Sequence, residues 1–233
     1  MKAIFRTGFL AVAIMLALSA PANAGPYEDG MAAAQRRDYA TAFRLLRPLA
    51  EQGHAGAQYN LGIMYHGGRG VPRNYAEAVK LWRKAANQGH AMAQHNLGVM
   101  YYNGRGVPRN YAEAVKWYRK AAKQGYAEAQ SNLGVMYENG RGVSRNDTEA
   151  VKWYSKAAEQ GDAYAQVNLG FMYEKGRGAP QNKMQAYKWY TLAAGQRFEG
   201  AVKNRDMLTS TMTPDQIAEA QRMAGEWMAE HQQ

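Results

Sequence analysis

The chain has 233 residues, no cysteine, and 29 Lys and Arg against 19 Asp and Glu, for a formal net charge of +10. Without cysteine there are no disulfides and no thiol chemistry, so stability must come from packed apolar surface alone. The basic surplus points to an anionic surface, an acidic partner or a solvated basic face, and away from nucleic acid.

Residues 1–24 read as a signal peptide. Lys2 and Arg6 form a basic start, Gly8 to Ala20 is an apolar run too short to span a bilayer comfortably, and Ala22 and Ala24 make an A-x-A cleavage signal. Removal of this segment leaves 27 basic and 19 acidic residues, 27 − 19 = +8. The expectation is an exported, monomeric protein, periplasmic or secreted, without a transmembrane segment. Residues 25–54 then read as a shortened helix pair with Asp38 as a cap.

From residue 55 the sequence repeats. GGRGVPRN starts at Gly67, NGRGVPRN at Asn103, NGRGVSRN at Asn139 and KGRGAPQN at Lys175, each 36 residues after the last. Four units follow, at 55–90, 91–126, 127–162 and 163–198, each with the pattern of two helices. The first helix opens on A-x-A-Q-x-N-L-G and carries a mid-helix glycine, Gly62, Gly98, Gly134 or Gly170. Such a glycine costs about 1 kcal/mol relative to alanine, which predicts a neighbouring helix backbone crossing there. The second helix starts at Asn74, Asn110, Asn146 or Asn182. Glu77, Glu113, Glu149 or Gln185 stands three residues on, the spacing of a capping box. Ala78, Trp82, Ala85 and Ala86 form its apolar stripe, and Gly89, Gly125 and Gly161 stand at its end as C′ residues. Residues 199–233 read as capping helices. Pro214 opens the last one, and Ile217, Ala220, Ala224, Trp227 and Met228 form its apolar face.

This pattern resembles the Sel1-like repeat family, a 36-residue relative of the tetratricopeptide repeat. The resemblance rests on A-x-A-Q-x-N-L-G-x-M-Y, G-R-G-V-P and A-x-x-W-Y-x-K-A-A-x-Q-G, closely over 55–198 and loosely over 27–54. It implies an all-α, right-handed α-solenoid in which first helices line a concave groove. It also implies an adaptor or regulator of a bacterial envelope, or a secreted factor that binds a host protein.

The glycine-rich basic loop could suggest a phosphate cradle. It recurs four times, lacks the lysine and hydroxyl of a Walker A loop, and always joins a helix end to a helix cap. It therefore reads as a turn, with the glycines supplying positive φ. Turn geometry does not require its arginines: Arg69, Arg105, Arg141 and Arg177, joined by Arg73, Arg109 and Arg145. They either pair with acidic residues of neighbouring repeats, stay solvated, or form a basic ridge for an anionic glycan or lipid of the envelope.

Catalytic motifs are missing: no G-x-S-x-G, no H-E-x-x-H and no S-x-x-K. Some cysteine-rich exported members of the family are associated with β-lactam binding or slow hydrolysis, but this chain lacks their paired cysteines. His66 and His95 lie on adjacent first helices without a third ligand, so neither metal nor cofactor is expected. The variable positions are more informative. Along the first helix the second, fifth, ninth and twelfth positions differ between repeats, and spacings of three, four and three put them on one face. They hold Gly56, Met92, Glu128 and Tyr164; Tyr59, His95, Ser131 and Val167; Ile63, Val99, Val135 and Phe171; and His66, Tyr102, Glu138 and Glu174. The expected function is non-catalytic binding of a protein or peptide, with Tyr59, Met92, Tyr102, Tyr164 and Phe171 as anchors. His66, His95, Glu128, Ser131, Glu138 and Glu174 complete that surface.

Overall fold

The computed structural model describes residues 25–231, so the leader expected at 1–24 lies outside the described residues. Twelve helices follow one another, and no strand occurs among the described residues. They are α1 (Pro26–Gln35), α2 (Tyr39–Glu51), α3 (Ala55–Gly67), α4 (Tyr75–Asn87), α5 (Ala91–Asn103), α6 (Tyr111–Lys123), α7 (Ala127–Asn139), α8 (Asp147–Glu159), α9 (Ala163–Lys175), α10 (Lys183–Gly195), α11 (Glu199–Thr209) and α12 (Pro214–His231). The fold class is all-α, tandem helix pairs of the α-solenoid type. Two compact units divide the described residues at Ala121 and Ala122, inside α6.

Each turn is held by local chemistry. The first loop glycine ends the first helix in the left-handed region, at φ 67° for Gly68 and 64° for Gly176. The second glycine is required twice over. Gly70 has φ 72°, and a Cβ there would lie 2.6 Å from the Tyr39 carbonyl oxygen of the preceding repeat. At Gly106 the Tyr75 carbonyl oxygen would be 2.4 Å away, and at Gly178 that of Asp147 would be 2.1 Å away. Within each unit these loops thus sit against the start of the preceding second helix.

The asparagines cap as expected: Asn74 Oδ1 accepts from the Glu77 amide at 3.1 Å, and Asn146 from the Glu149 amide at 3.0 Å. The capping box is only half made. The Asn74 amide donates to the Tyr65 carbonyl of the first helix at 2.9 Å, and the Asn146 amide to that of Tyr137 at 2.9 Å. That bond ties the two helices of a repeat, and the glutamates pair with Lys80 and Lys152 instead. A reciprocal box does occur at α12, between Thr213 and Gln216.

The mid-helix glycines differ from the expectation in what they face. A Cβ on Gly62 would meet Trp82 Nε1 at 2.4 Å, and one on Gly134 the Tyr154 ring at 2.6 Å. At these two an aromatic ring of the second helix fills the space where a crossing backbone was expected, while at Gly170 the Ala186 carbonyl oxygen, 3.2 Å from an added Cβ, joins the Tyr190 ring at 2.8 Å. Tyr154 and its equivalents Tyr118 and Tyr190 are fully enclosed as a result.

The glutamine of A-x-A-Q makes a bond between repeats that spacing along the chain does not reveal. Gln58 is buried, donates through Nε2 to the Ala50 carbonyl at 3.0 Å, and accepts from Gln88 at 2.8 Å. Gln166 repeats this with Ala158 and Gln196. Each such buried bond contributes about 1 kcal/mol. The signal for it in the sequence is the recurrence of Gln at 58, 94, 130 and 166. At the far end α12 packs Ala220 among Tyr187, Tyr190 and Leu208, and Trp227 lies edge-on to Trp189. Met228 departs from the expected apolar face and is exposed.

Candidate functional site

The variable face is not uniformly open. In α5 all four of its members reach the surface: Met92 is 39% exposed, and His95, Val99 and Tyr102 are half-buried. In α7, by contrast, Ser131, Val135 and Glu138 are buried and only Glu128 is half-buried. Tyr59 in α3 and Val167 in α9 are buried too, whereas His66, Tyr164, Phe171 and Glu174 are half-buried. The expectation of an open face fails for Tyr59, Ser131 and Glu138, at 6%, 3% and 6% exposure. Tyr59 stacks on the His90 ring at 4.6 Å, which removes it from solvent.

The twelfth position meets an aromatic residue of its own repeat in each case. His66 lies against Trp82, with ring centroids 5.4 Å apart, and Tyr102 against Tyr111 at 5.2 Å. Glu138 accepts from the Tyr154 hydroxyl at 2.8 Å, and Glu174 from Tyr190 at 2.9 Å. Burial, reinforced by the adjacent carboxylate, pushes both phenols well above the ordinary tyrosine range.

The loop arginines have internal partners that differ between the two units. In residues 25–121 those partners are tyrosine rings. Arg69 lies over Tyr39 at 5.7 Å, and Tyr75 takes both Arg73 at 5.6 Å and Arg105 at 6.0 Å. Arg109 lies over Tyr111 at 5.6 Å. In residues 122–231 the tyrosine position is Asp147. Arg145 reaches it through Nε and Nη2 at 3.2 and 3.0 Å, and Arg177 through Nε and Nη2 at 3.0 and 3.1 Å. Arg177 also donates to Glu138 at 3.1 Å. Hydrogen bonds from Arg145 and then Arg177 pull the Asp147 carboxyl down to about 2. Arg141 is exposed.

The histidines divide the same way. Four of the five, His54, His66, His90 and His95, lie in residues 25–121. His54 Nδ1 caps α3 by accepting from the Ala57 amide at 3.1 Å, and His90 Nδ1 caps α5 from Ala93 at 3.3 Å. At the same position Asp162 caps α9 with its carboxylate at 2.8 Å. Burial lowers the His90 pKa, and burial with Arg105 and Arg73 lowers that of His66. His66 and His95 each face a tyrosine of their own repeat, Tyr75 at 5.1 Å and Tyr118 at 5.8 Å. Among the described residues no group of three His, Cys, Asp or Glu side chains could hold a metal ion. No described helix is long and apolar enough to cross a membrane.

The family model of the Sel1 repeat matches five segments, 22–54, 55–90, 91–126, 127–162 and 163–197. A protective antigen of uropathogenic Escherichia coli strains is similar at 38% identity and a TM-score of 0.77. The match covers 86% of this chain and 45% of that one, so this chain spans less than half of that protein's length. A Sel1 repeat protein from Oxalobacter formigenes is similar at 32% identity and a TM-score of 0.75, over 86% of this chain and 84% of that one. An immunity protein from Pseudomonas aeruginosa shares the fold at 22% identity and a TM-score of 0.51, over 89% and 80%. No curated protein matches the sequence significantly. The five matched segments cover most of the chain, and it belongs to the Sel1 repeat family.

Proposed function

We propose that this chain is a non-catalytic scaffold that binds a protein or peptide partner, chiefly through α5. The observation that carries this reading is the arrangement of Met92, His95, Val99 and Tyr102. They form one accessible helix face with a 39% exposed methionine at its start. Methionine adapts to varied apolar surfaces. Tyr102 adds a rigid amphipathic ring. In residues 122–231 the half-buried Tyr164, Phe171, Glu128 and Glu174 offer a second set, divided between α7 and α9. The Sel1 repeat fold, which commonly mediates protein–protein interaction, supports the same reading.

The pattern of residues 1–24 supports export, so the partner is sought in the bacterial envelope or outside the cell. Photocrosslinkers placed at 92 and 102 in intact cells should capture one shared partner, and Met92→Ala with Tyr102→Ala should lose it at unchanged helicity. A partner retained by that double variant would remove α5 from the interface.

A further inference from the structure

The third and fourth repeats contain a worked example of what the loop arginines hold. Arg145 and Arg177 clamp the Asp147 carboxylate from two sides, each with two hydrogen bonds. A guanidinium and a carboxylate are matched in this way by geometry as well as charge. Two repeats earlier the equivalent positions hold Arg73, Arg105 and Tyr75. The two guanidinium carbons lie 5.6 and 6.0 Å from the Tyr75 ring centroid, so both arginines converge on the spot that a carboxylate fills in the later repeat.

A phenol ring attracts the two cations but neutralises neither. Both arginines are exposed, and no described carboxylate pairs with either. Arg69 over Tyr39 repeats half of the arrangement one repeat earlier. The surrounding charge favours an incoming anion, because residues 25–121 carry 14 Lys and Arg against 6 Asp and Glu.

We propose that Arg73 and Arg105, beside Tyr75, receive side-chain carboxylates of an acidic peptide segment, doing between molecules what Arg145 and Arg177 do within the chain. This proposal does not rest on the reading of the α5 face. The pair makes a charge-assisted contact in solvent, so affinity is modest and falls with salt.

The test uses the full chain and a fluorescein-labelled hexaglutamate peptide, followed by anisotropy, with hexaglutamine as the uncharged control. Hexaglutamate should bind saturably and release at high salt, and hexaglutamine should not bind. Arg73→Gln with Arg105→Gln should weaken binding roughly tenfold. The decisive variant is Tyr75→Asp, which keeps both arginines and gives them an internal carboxylate. The third repeat shows that the fold accepts aspartate at this position. It should also weaken binding roughly tenfold while the melting temperature holds or rises. Met207→Ala, at an exposed position of α11, should leave hexaglutamate binding unchanged. Absence of saturable binding would overturn the proposal, as would affinity indifferent to both arginine-site variants. Binding to anionic phospholipid vesicles that Tyr75→Asp abolishes, with no binding of hexaglutamate, would replace the acidic peptide by a lipid surface.

Discussion

Residues 25–121 carry 14 Lys and Arg against 6 Asp and Glu, whereas residues 122–233 carry 13 of each. The same 36-residue pattern builds both, so the +8 surplus of the first is not a demand of the fold. Part of the difference lies outside the repeats, in residues 199–233, which carry 3 Lys and Arg against 6 Asp and Glu; within the repeats, four acidic residues replace others at equivalent positions. Tyr75 becomes Asp147, His90 becomes Asp162, and His66 becomes Glu138 and Glu174. In the second unit those carboxylates are engaged internally, on Arg145 and Arg177, on the α9 amides and on tyrosine hydroxyls. In the first, rings and imidazoles do the same packing and leave the arginines' charge unbalanced. The lesson is that a repeat can exchange its electrostatics while keeping its turn, cap and core.

The largest expected effect tests what the units share. Gly106→Ala and Gly178→Ala each force a Cβ against a backbone carbonyl at positive φ and should cost about 3 kcal/mol or more in urea unfolding. Gly89→Ala is the control. It has φ 92° but nothing within 4 Å of an added Cβ, so it should cost only about 1 kcal/mol. A tolerated Gly178→Ala beside a disruptive Gly106→Ala would mean that the two units do not stack their repeats alike.

Removing an arginine should separate the units next. Arg177→Gln leaves Glu138, 6% exposed, and Asp147 without their shared cation, and should destabilise by about 2–3 kcal/mol. Arg105→Gln loses only an exposed contact with a ring and should stay within about 0.5–1 kcal/mol. Equal losses in thermal melts would contradict the contrast drawn from Asp147 and Tyr75.

Acid should separate them a third way. The His90 and His66 pKa values are lowered in the fold, so the unfolded chain takes up protons first and stability falls as pH drops below about 6.5. Protonation also removes the Nδ1 acceptor that caps α5, a loss of about 1 kcal/mol. Asp147 is depressed to about 2, so its contribution persists above the ordinary carboxylate range and is lost only as pH falls from about 4 toward 2. Hydrogen exchange at pH 7 and pH 5 should therefore show α5 loosening while α9 stays protected. His90→Asp, which copies Asp162, should remove the effect at α5.

The smallest effect is on the outer faces, where Glu77–Lys80 and Glu149–Lys152 are exposed equivalents. Glu77→Ala should change stability by at most about 0.5 kcal/mol, and Glu149→Ala by about 1 kcal/mol more, because Glu149 also accepts from Trp153 Nε1 at 3.2 Å where the first unit has Leu81.

Much of the fold was legible because the relevant signals are local. Asn74 and its equivalents cap a helix three residues away, and Gly68 ends a helix at its own φ, so both read directly from spacing. The other half of the capping box was misread because the Asn74 amide is claimed by Tyr65, across a turn. The candidate surface was less legible. Helical spacing places Tyr59, Ser131 and Glu138 on the same face as Met92, and spacing alone carries no information about which of them a neighbouring ring covers.

By itself the amino-acid sequence determined the repeat register, the helix boundaries, the left-handed turns, the family and the surplus of basic charge. Each follows from residue type at short range or from simple counting. Only the tertiary structure decided that the mid-helix glycines face rings, that Gln58 meets Gln88 at the far end of its own repeat, and that Arg177 reaches Asp147 thirty residues away. Those contacts depend on how successive helix pairs stack. The stacking sets one arginine pair against a carboxylate and its equivalent against a tyrosine.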